Sequence, residues 1–192
     1  MKKSNIKQSI IAAAVLAISV GTLSAHADDF TGGFAGLKAG DNSTRSTGDY
    51  ATDRKNAAST GVEAGYNWKV FGQIVGVSAF YDYNDSVNHS ASNGITTKFG
   101  SQVSGADLIL GTPINKWLIY AKLGDAYVTG IDAAKSLDRN TFHGGVGVSY
   151  AVAPHLSVGT EWTDERASKD GTSLENNNFA ITVDYRFGGF GG

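Results

Sequence analysis

Hydrophobic and polar residues alternate with a period of two along much of the chain, the pattern of β-strands whose two faces meet different surroundings. The C-terminal stretch is the clearest, where Phe179, Ile181, Val183, Tyr185 and Phe187 alternate with Ala180, Thr182, Asp184 and Arg186. The same pattern sets Leu156, Val158, Thr160 and Trp162 against Ser157, Gly159, Glu161 and Thr163. It sets Val146, Val148, Tyr150 and Val152 against Gly145, Gly147, Ser149 and Ala151. Upstream, Ile119, Ala121 and Leu123 alternate with Tyr120, Lys122 and Gly124, and Val62, Ala64, Tyr66 and Trp68 with Gly61, Glu63, Gly65 and Asn67. Eight such strands are predicted, near 33–42, 58–69, 73–84, 97–111, 117–129, 141–152, 155–164 and 177–187. In the fourth, the sequence Ser104-Gly105-Ala106 blurs the alternation, which predicts a bulge or register shift there.

The links between these segments alternate in length. Short ones lie near Lys69–Gly72, Thr112–Lys116 and Ala153–Pro154, while long polar ones fill 43–57, 85–96, 130–140 and 165–176. Barrels that cross an outer membrane show this asymmetry, with short periplasmic turns and longer outside loops. An even strand count returns both ends to the periplasmic side. A soluble barrel or sandwich would also show eight alternating strands, so the aromatic positions decide between them. With alternating strand directions, Trp68, Trp117, Tyr150, Tyr185 and Phe187 fall at one rim of the apolar face. Tyr81, Tyr83, Tyr127, Phe142, Trp162 and Phe179 fall at the other. Two aromatic belts separated by Val, Leu, Ile and Ala match the two interfaces of a bilayer. The expected fold is therefore all-β: an eight-stranded antiparallel transmembrane up-and-down β-barrel.

The N-terminus changes the picture of where the chain works. Lys2, Lys3 and Lys7 precede an almost unbroken apolar run from Ile10 to Val20, and Ala25-His26-Ala27 places small residues where a signal peptidase reads them. The run is too short to span a bilayer, which needs roughly 20 apolar residues. Residues 1–27 read as a signal peptide with Ala25 and Ala27 marking cleavage, and 28–192 as one barrel domain. Without the three signal lysines the 16 basic residues fall to 13 against 18 acidic, a net charge of −5, which disfavours nucleic acid as a partner. The chain has no cysteine, so neither disulfides nor thiolate metal ligands are available.

Candidate chemistry then concentrates inside the barrel. The inward face carries Lys38, Glu63, Asp82, Asp107, Lys122, Glu161, Asp184 and Arg186. An eight-stranded barrel is just wide enough to be filled by side chains, and buried charges must be paired or hydrated. These residues predict a polar network that plugs the lumen. A narrow water-filled path for small ions is the alternative, kept open by inward glycines at 36, 40, 65, 76, 124, 145, 147 and 159. Catalysis would need a nucleophile and base converging near the outer rim. His89 or His143 with Ser90, Ser92 or Glu175 could be drawn as a triad, but no spacing demands it, and a rim histidine is ordinarily a hydrogen-bonded surface residue. No ligand spacing for a metal is present, no cofactor is expected, and no enzymatic activity is assigned. The polar links, rich in Asn, Ser, Thr, Asp and Gly, suit either solvated loops or adhesion to a surface ligand.

Several segments resemble one family. Phe34-Ala35-Gly36-Leu37-Lys38-Ala39-Gly40 resembles the first strand of the outer-membrane protein A transmembrane domain and its opacity-type, porin-like relatives. Gly144-Gly145-Val146 through Tyr150-Ala151-Val152-Ala153-Pro154 resembles that family's sixth strand and turn, and Val183-Asp184-Tyr185-Arg186-Phe187 its closing strand. The resemblance implies a Gram-negative outer-membrane location and an assembly signal at Tyr185 and Phe187, read by the barrel-assembly machinery. It also implies partners among outer-membrane lipids and lipopolysaccharide, and a monomer. The family's charged interior cluster would include Lys38, whereas Ser78, Ile109 and Ser149 stand at its other positions. The expected function is structural, with weak small-solute or ion permeation, or surface adhesion through the outside loops. Sequencing the N-terminus of membrane-extracted protein should give Asp28 first; an intact Met1 would remove the export argument.

Overall fold

In lipid every backbone N–H and C=O must find a partner within the protein, so strands can cross only as a closed sheet without edges. The computed structural model, which describes residues 30–48, 51–91, 94–134, 138–169 and 171–187, has this form. Its strands are β1 (Gly32–Gly48), β2 (Lys55–Val70), β3 (Gln73–Ser90), β4 (Thr96–Ile114), β5 (Trp117–Asp132), β6 (Arg139–Ala153), β7 (Leu156–Lys169) and β8 (Thr172–Phe187). Each pairs antiparallel with its sequence neighbours, and β1 closes on β8 from Gly33↔Phe187 to Gly48↔Thr172. Ala25 and Ala27 lie outside the described residues.

The alternation sorts residues as the sequence pattern predicts. Leu37, at 66% exposure, Leu108, Leu110, Ile119, Leu123, Val146 and Ile181 point outward and form an apolar band. Trp68, Trp117, Tyr185 and Phe187 are exposed at one end of this band, and Tyr81, Tyr83, Tyr127, Phe142, Trp162 and Phe179 at the other. At the first end the connections are two-residue turns. Phe71 and Gly72 both take positive φ (51° and 80°), as does Asn115 (55°). Glycine adopts that conformation freely and asparagine tolerates it, whereas Phe71 is strained by it.

Two expectations are corrected. The long links are mostly strand: residues 43–48, 85–90, 130–132, 165–169 and 172–176 all belong to the ladders. The strands run to 14–19 residues, against the roughly 9–11 that cross a bilayer, so the barrel wall continues well beyond the outer aromatic belt. These extensions are polar on their outward face too, because water rather than lipid surrounds them, and so no hydropathy alternation marks them. The predicted irregularity at Ser104-Gly105-Ala106 is absent, since all three pair in register with β3 and β5. Gly105 faces inward and makes room for the Phe80 ring. The β3–β4 ladder shifts instead between Asn84 and Val87, and β6–β7 between Ala151 and Ala153.

The outward assignment makes a direct prediction. Leu37→Arg should cost roughly 2–4 kcal/mol, because lipid cannot solvate a guanidinium near the midplane. Thr47→Arg, on the same face of β1 above the outer belt, should cost about 0–1 kcal/mol, as expected outside the apolar band. Urea titration of the folded protein in vesicles measures both, and equal losses would displace the membrane band.

Candidate functional site

The lumen is filled in layers. At the end that carries the two-residue turns, Phe30, Phe34, Ile74, Ile109, Leu118, Tyr120 and Ala151 form a buried apolar cluster inside the barrel. Phe30 precedes β1 and folds into the mouth, where Asn67 Nδ2 donates to its carbonyl at 3.1 Å. The Arg186 guanidinium lies 5.0 Å from the Phe30 ring centre and 6.0 Å from that of Phe34, a cation–π arrangement. Arg186 Nη1 also donates to Ser157 Oγ at 2.7 Å, and Ser157 Oγ donates to Asp184 at 3.5 Å.

Above this layer five of the predicted charges meet. Lys122 Nζ sits between Glu63 (2.5 Å) and Glu161 (2.6 Å), and Lys38 Nζ contacts Asp82 at 2.8 Å and Glu161 at 3.8 Å. Tyr120 donates its hydroxyl to Glu161 at 3.0 Å, and Lys38 Nζ stands 5.0 Å from the Phe80 ring centre. Lys122 is 2% exposed, so Glu63 and Glu161 replace its water of hydration. The interior cluster is thus built from β1, β2, β3, β5 and β7, with Ser78, Ile109 and Ser149 buried as uncharged neighbours.

Asp107 belongs to a separate group. His143 lies between Asp107 (Nδ1 to Oδ1, 2.7 Å) and Glu165 (Nε2 to Oε1, 3.3 Å) and stacks on Phe80 with ring centres 4.4 Å apart. His143 is therefore a buried bridge between β4 and β7 rather than the surface residue expected of a rim histidine. Because the imidazole separates the two carboxylates, the three do not converge on a shared point. Among the described residues no group of three His, Cys, Asp or Glu side chains is arranged to hold a metal ion. Glu165 was legible only by register, since it pairs directly with His143 on the neighbouring strand.

Farther out, Phe80, Phe99, Val103, Ala126, Val128, Ala134, Ala167 and Leu174 make a second buried apolar cluster. An amide and hydroxyl network accompanies it: Asn176 donates to Ser101, Asn84 to Ser101, and Asn178 to Ser59. His89 is buried here, stacked on Phe99 at 3.8 Å, with Nδ1 facing the Asp53 carbonyl at 3.2 Å. Ser92 lies outside the described residues; among those described no serine hydroxyl hydrogen-bonds a histidine ring, so no triad through Ser90 is assembled. The inward glycines do not leave open space either. A Cβ at Gly147 would strike the Tyr120 ring, one at Gly65 the Phe34 ring, and one at Gly36 the Asp184 carboxylate. Small residues on one strand receive large side chains from another.

Glu175 is on the outer wall, four residues beyond Phe179 and the outer aromatic belt. It accepts from Arg45 Nε at 2.6 Å, Arg54 Nη2 at 3.2 Å and Arg166 Nη2 at 2.9 Å. The hydrogen bond from Arg45 first, then the charges of Arg166 and Arg54, hold its carboxyl below the usual glutamate range. At the opposite end, Tyr185 and Phe187 stand exposed with ring centres 5.4 Å apart, on the strand that closes the barrel.

Known structures share this architecture. The crystal structure of neisserial surface protein A is similar with a TM-score of 0.55 and 17% identity, covering 82% of this chain and 98% of that one. OprG from Pseudomonas aeruginosa gives 0.52 and 11%, covering 82% and 98%, and the attachment invasion locus protein Ail of Yersinia pestis gives 0.50 and 14%, covering 80% and 99%. At these identities the likeness is one of fold. No curated protein sequence matches the chain significantly. The profile of the outer membrane protein beta-barrel domain matches residues 10–187, and the chain belongs to that family.

Proposed function

We propose that the protein is a filled, non-catalytic barrel of the Gram-negative outer membrane, a scaffold whose lumen does not conduct and whose work is done by its outer surfaces. The observation that carries this reading is the burial of Lys122 between Glu63 and Glu161, with an apolar cluster toward each end of the lumen. An ion crossing the barrel would have to pass two layers packed with buried apolar side chains and break a charge network between them. Each is costly where water is absent. Weak permeation of small solutes is the competing reading, and the same residues separate the two.

Lys122→Met removes one partner of a buried pair and leaves Glu63 and Glu161 facing each other, which should cost about 3–5 kcal/mol. In the filled barrel Lys122→Met and Lys38→Met both lower stability, while planar-bilayer conductance stays at background for the parent and both variants. In a channel the same changes shift ion selectivity and stability hardly moves. Urea titration in micelles beside single-channel recording reads both quantities, and a steady parent conductance would overturn the proposal.

A further inference from the structure

The chain has five arginines, and three of them converge on one carboxylate. Arg45 on β1, Glu175 on β8 and Arg166 on β7 form a row across the barrel seam, since Arg45 pairs with Glu175 and Glu175 with Arg166 in register. Arg54, from the β1–β2 connection, reaches the same carboxylate and also donates to the Ser43 carbonyl at 3.2 Å.

One carboxylate does not neutralise three guanidiniums. Among the described residues Glu175 is the only acid in the row; Asp41, which accepts from Asn56, and Asp164 lie below it, toward the aromatic belt. Ser168, Ser173 and Thr47 border the row above and carry no charge. Arg45 uses Nε and Arg166 one terminal nitrogen toward Glu175, so N–H groups remain on both, and all three arginines are at least one-third exposed. Guanidinium forks match the oxygens of phosphate better than any other side chain does.

Position selects the kind of anion. Arg45, Glu175 and Arg166 share the outward face of Leu37, Ile181 and Trp162, so they point sideways from the wall rather than upward from the rim. Glu175 is four residues past Phe179, about 13 Å along the strand and on the order of 10 Å along the membrane normal for a strand tilted near 40°. Polar headgroups occupy roughly 5–8 Å beyond the hydrocarbon boundary. The long arginine side chains span the difference, with Trp162 and Phe179 beneath them as an aromatic floor. We propose that this row is a docking site for the phosphate groups of an outer-leaflet lipid held laterally against the β7–β8–β1 wall. The site stands whether or not the lumen conducts.

The full mature chain, folded in dodecyl maltoside micelles, tests it by native mass spectrometry. The probes are a diphosphorylated glucosamine lipid, the same lipid after removal of its phosphates, and inorganic phosphate as a competitor. The phosphorylated lipid should bind at least about tenfold more tightly than its dephosphorylated form, the difference expected from losing charge-assisted hydrogen bonds. R45Q/R166Q should abolish that preference. Glu175→Gln removes the competing carboxylate and should retain or tighten binding, whereas a purely structural clamp predicts no lipid preference in any variant. Folding is checked by heat-modifiable gel migration. Arg54→Gln, outside every strand, should weaken binding about threefold and serves if the double variant does not fold. Equal binding of the two lipids, or an unchanged preference in R45Q/R166Q or, should that variant misfold, in Arg54→Gln, overturns the site. Full displacement by low-millimolar phosphate would make it a free-anion site and overturn the lipid assignment.

Discussion

The hydrogen-bonded closure of β1 on β8 is the constraint on which the rest of the molecule depends. A hydrocarbon solvent offers no substitute for a missing backbone partner, so an open eight-stranded sheet would leave two costly edges. Closing it commits the chain to a narrow cylinder, since eight strands enclose an interior only as wide as side chains can fill. Everything inside must then be packed or paired, and everything outside must suit lipid over the band between the two aromatic belts.

Inside, this requirement is met by alternating chemistry along the barrel axis. Apolar clusters around Phe30 and Phe34 at one end and Phe99 and Val128 toward the other flank the charges of Lys38, Glu63, Asp82, Lys122 and Glu161. Buried ion pairs contribute little net stability compared with well-packed apolar groups, because desolvation offsets most of the attraction. Their effect is sharper on uniqueness: Lys122 has two carboxylates within reach and Lys38 has two, so the register of five strands is needed to satisfy them at once. Tyr120 ties the two regions together, with its ring in the apolar layer and its hydroxyl on Glu161.

Beyond the membrane the wall does not dissolve into loops. The ladders continue, around an interior in which Phe99, Ala167 and Leu174 pack among buried amides and hydroxyls, and hold outward side chains at defined heights above the lipid. The same closure that seals the backbone brings Arg45 from the start of the chain beside Arg166 from near its end, with Glu175 between them. A surface built on paired strands can present guanidiniums at fixed spacing, which a flexible loop would do only at an entropic cost.

Period-two alternation was enough to determine the number of strands, their directions, the aromatic belts and the inward face of all eight predicted lumenal charges. These are local properties, written every second residue because lipid and lumen differ so strongly. Tertiary structure alone decided what those charges touch, since pairs such as Lys122 with Glu63 and His143 with Asp107 are joined across the lumen rather than along a strand. It also decided the inward apolar layers. Phe80 sits between Ala79 and outward Tyr81, so no polar neighbour marks its direction, and Phe30 precedes the first strand altogether. The inward glycines suggested space for water because a single sequence shows only what is missing from one strand; the structure fills that space with Tyr120, Phe34 and Asp184 from others. The outer strand extensions escaped notice for a related reason: with water outside, both faces can be polar, and pairing is then carried by a backbone whose hydrogen bonds leave no mark on composition.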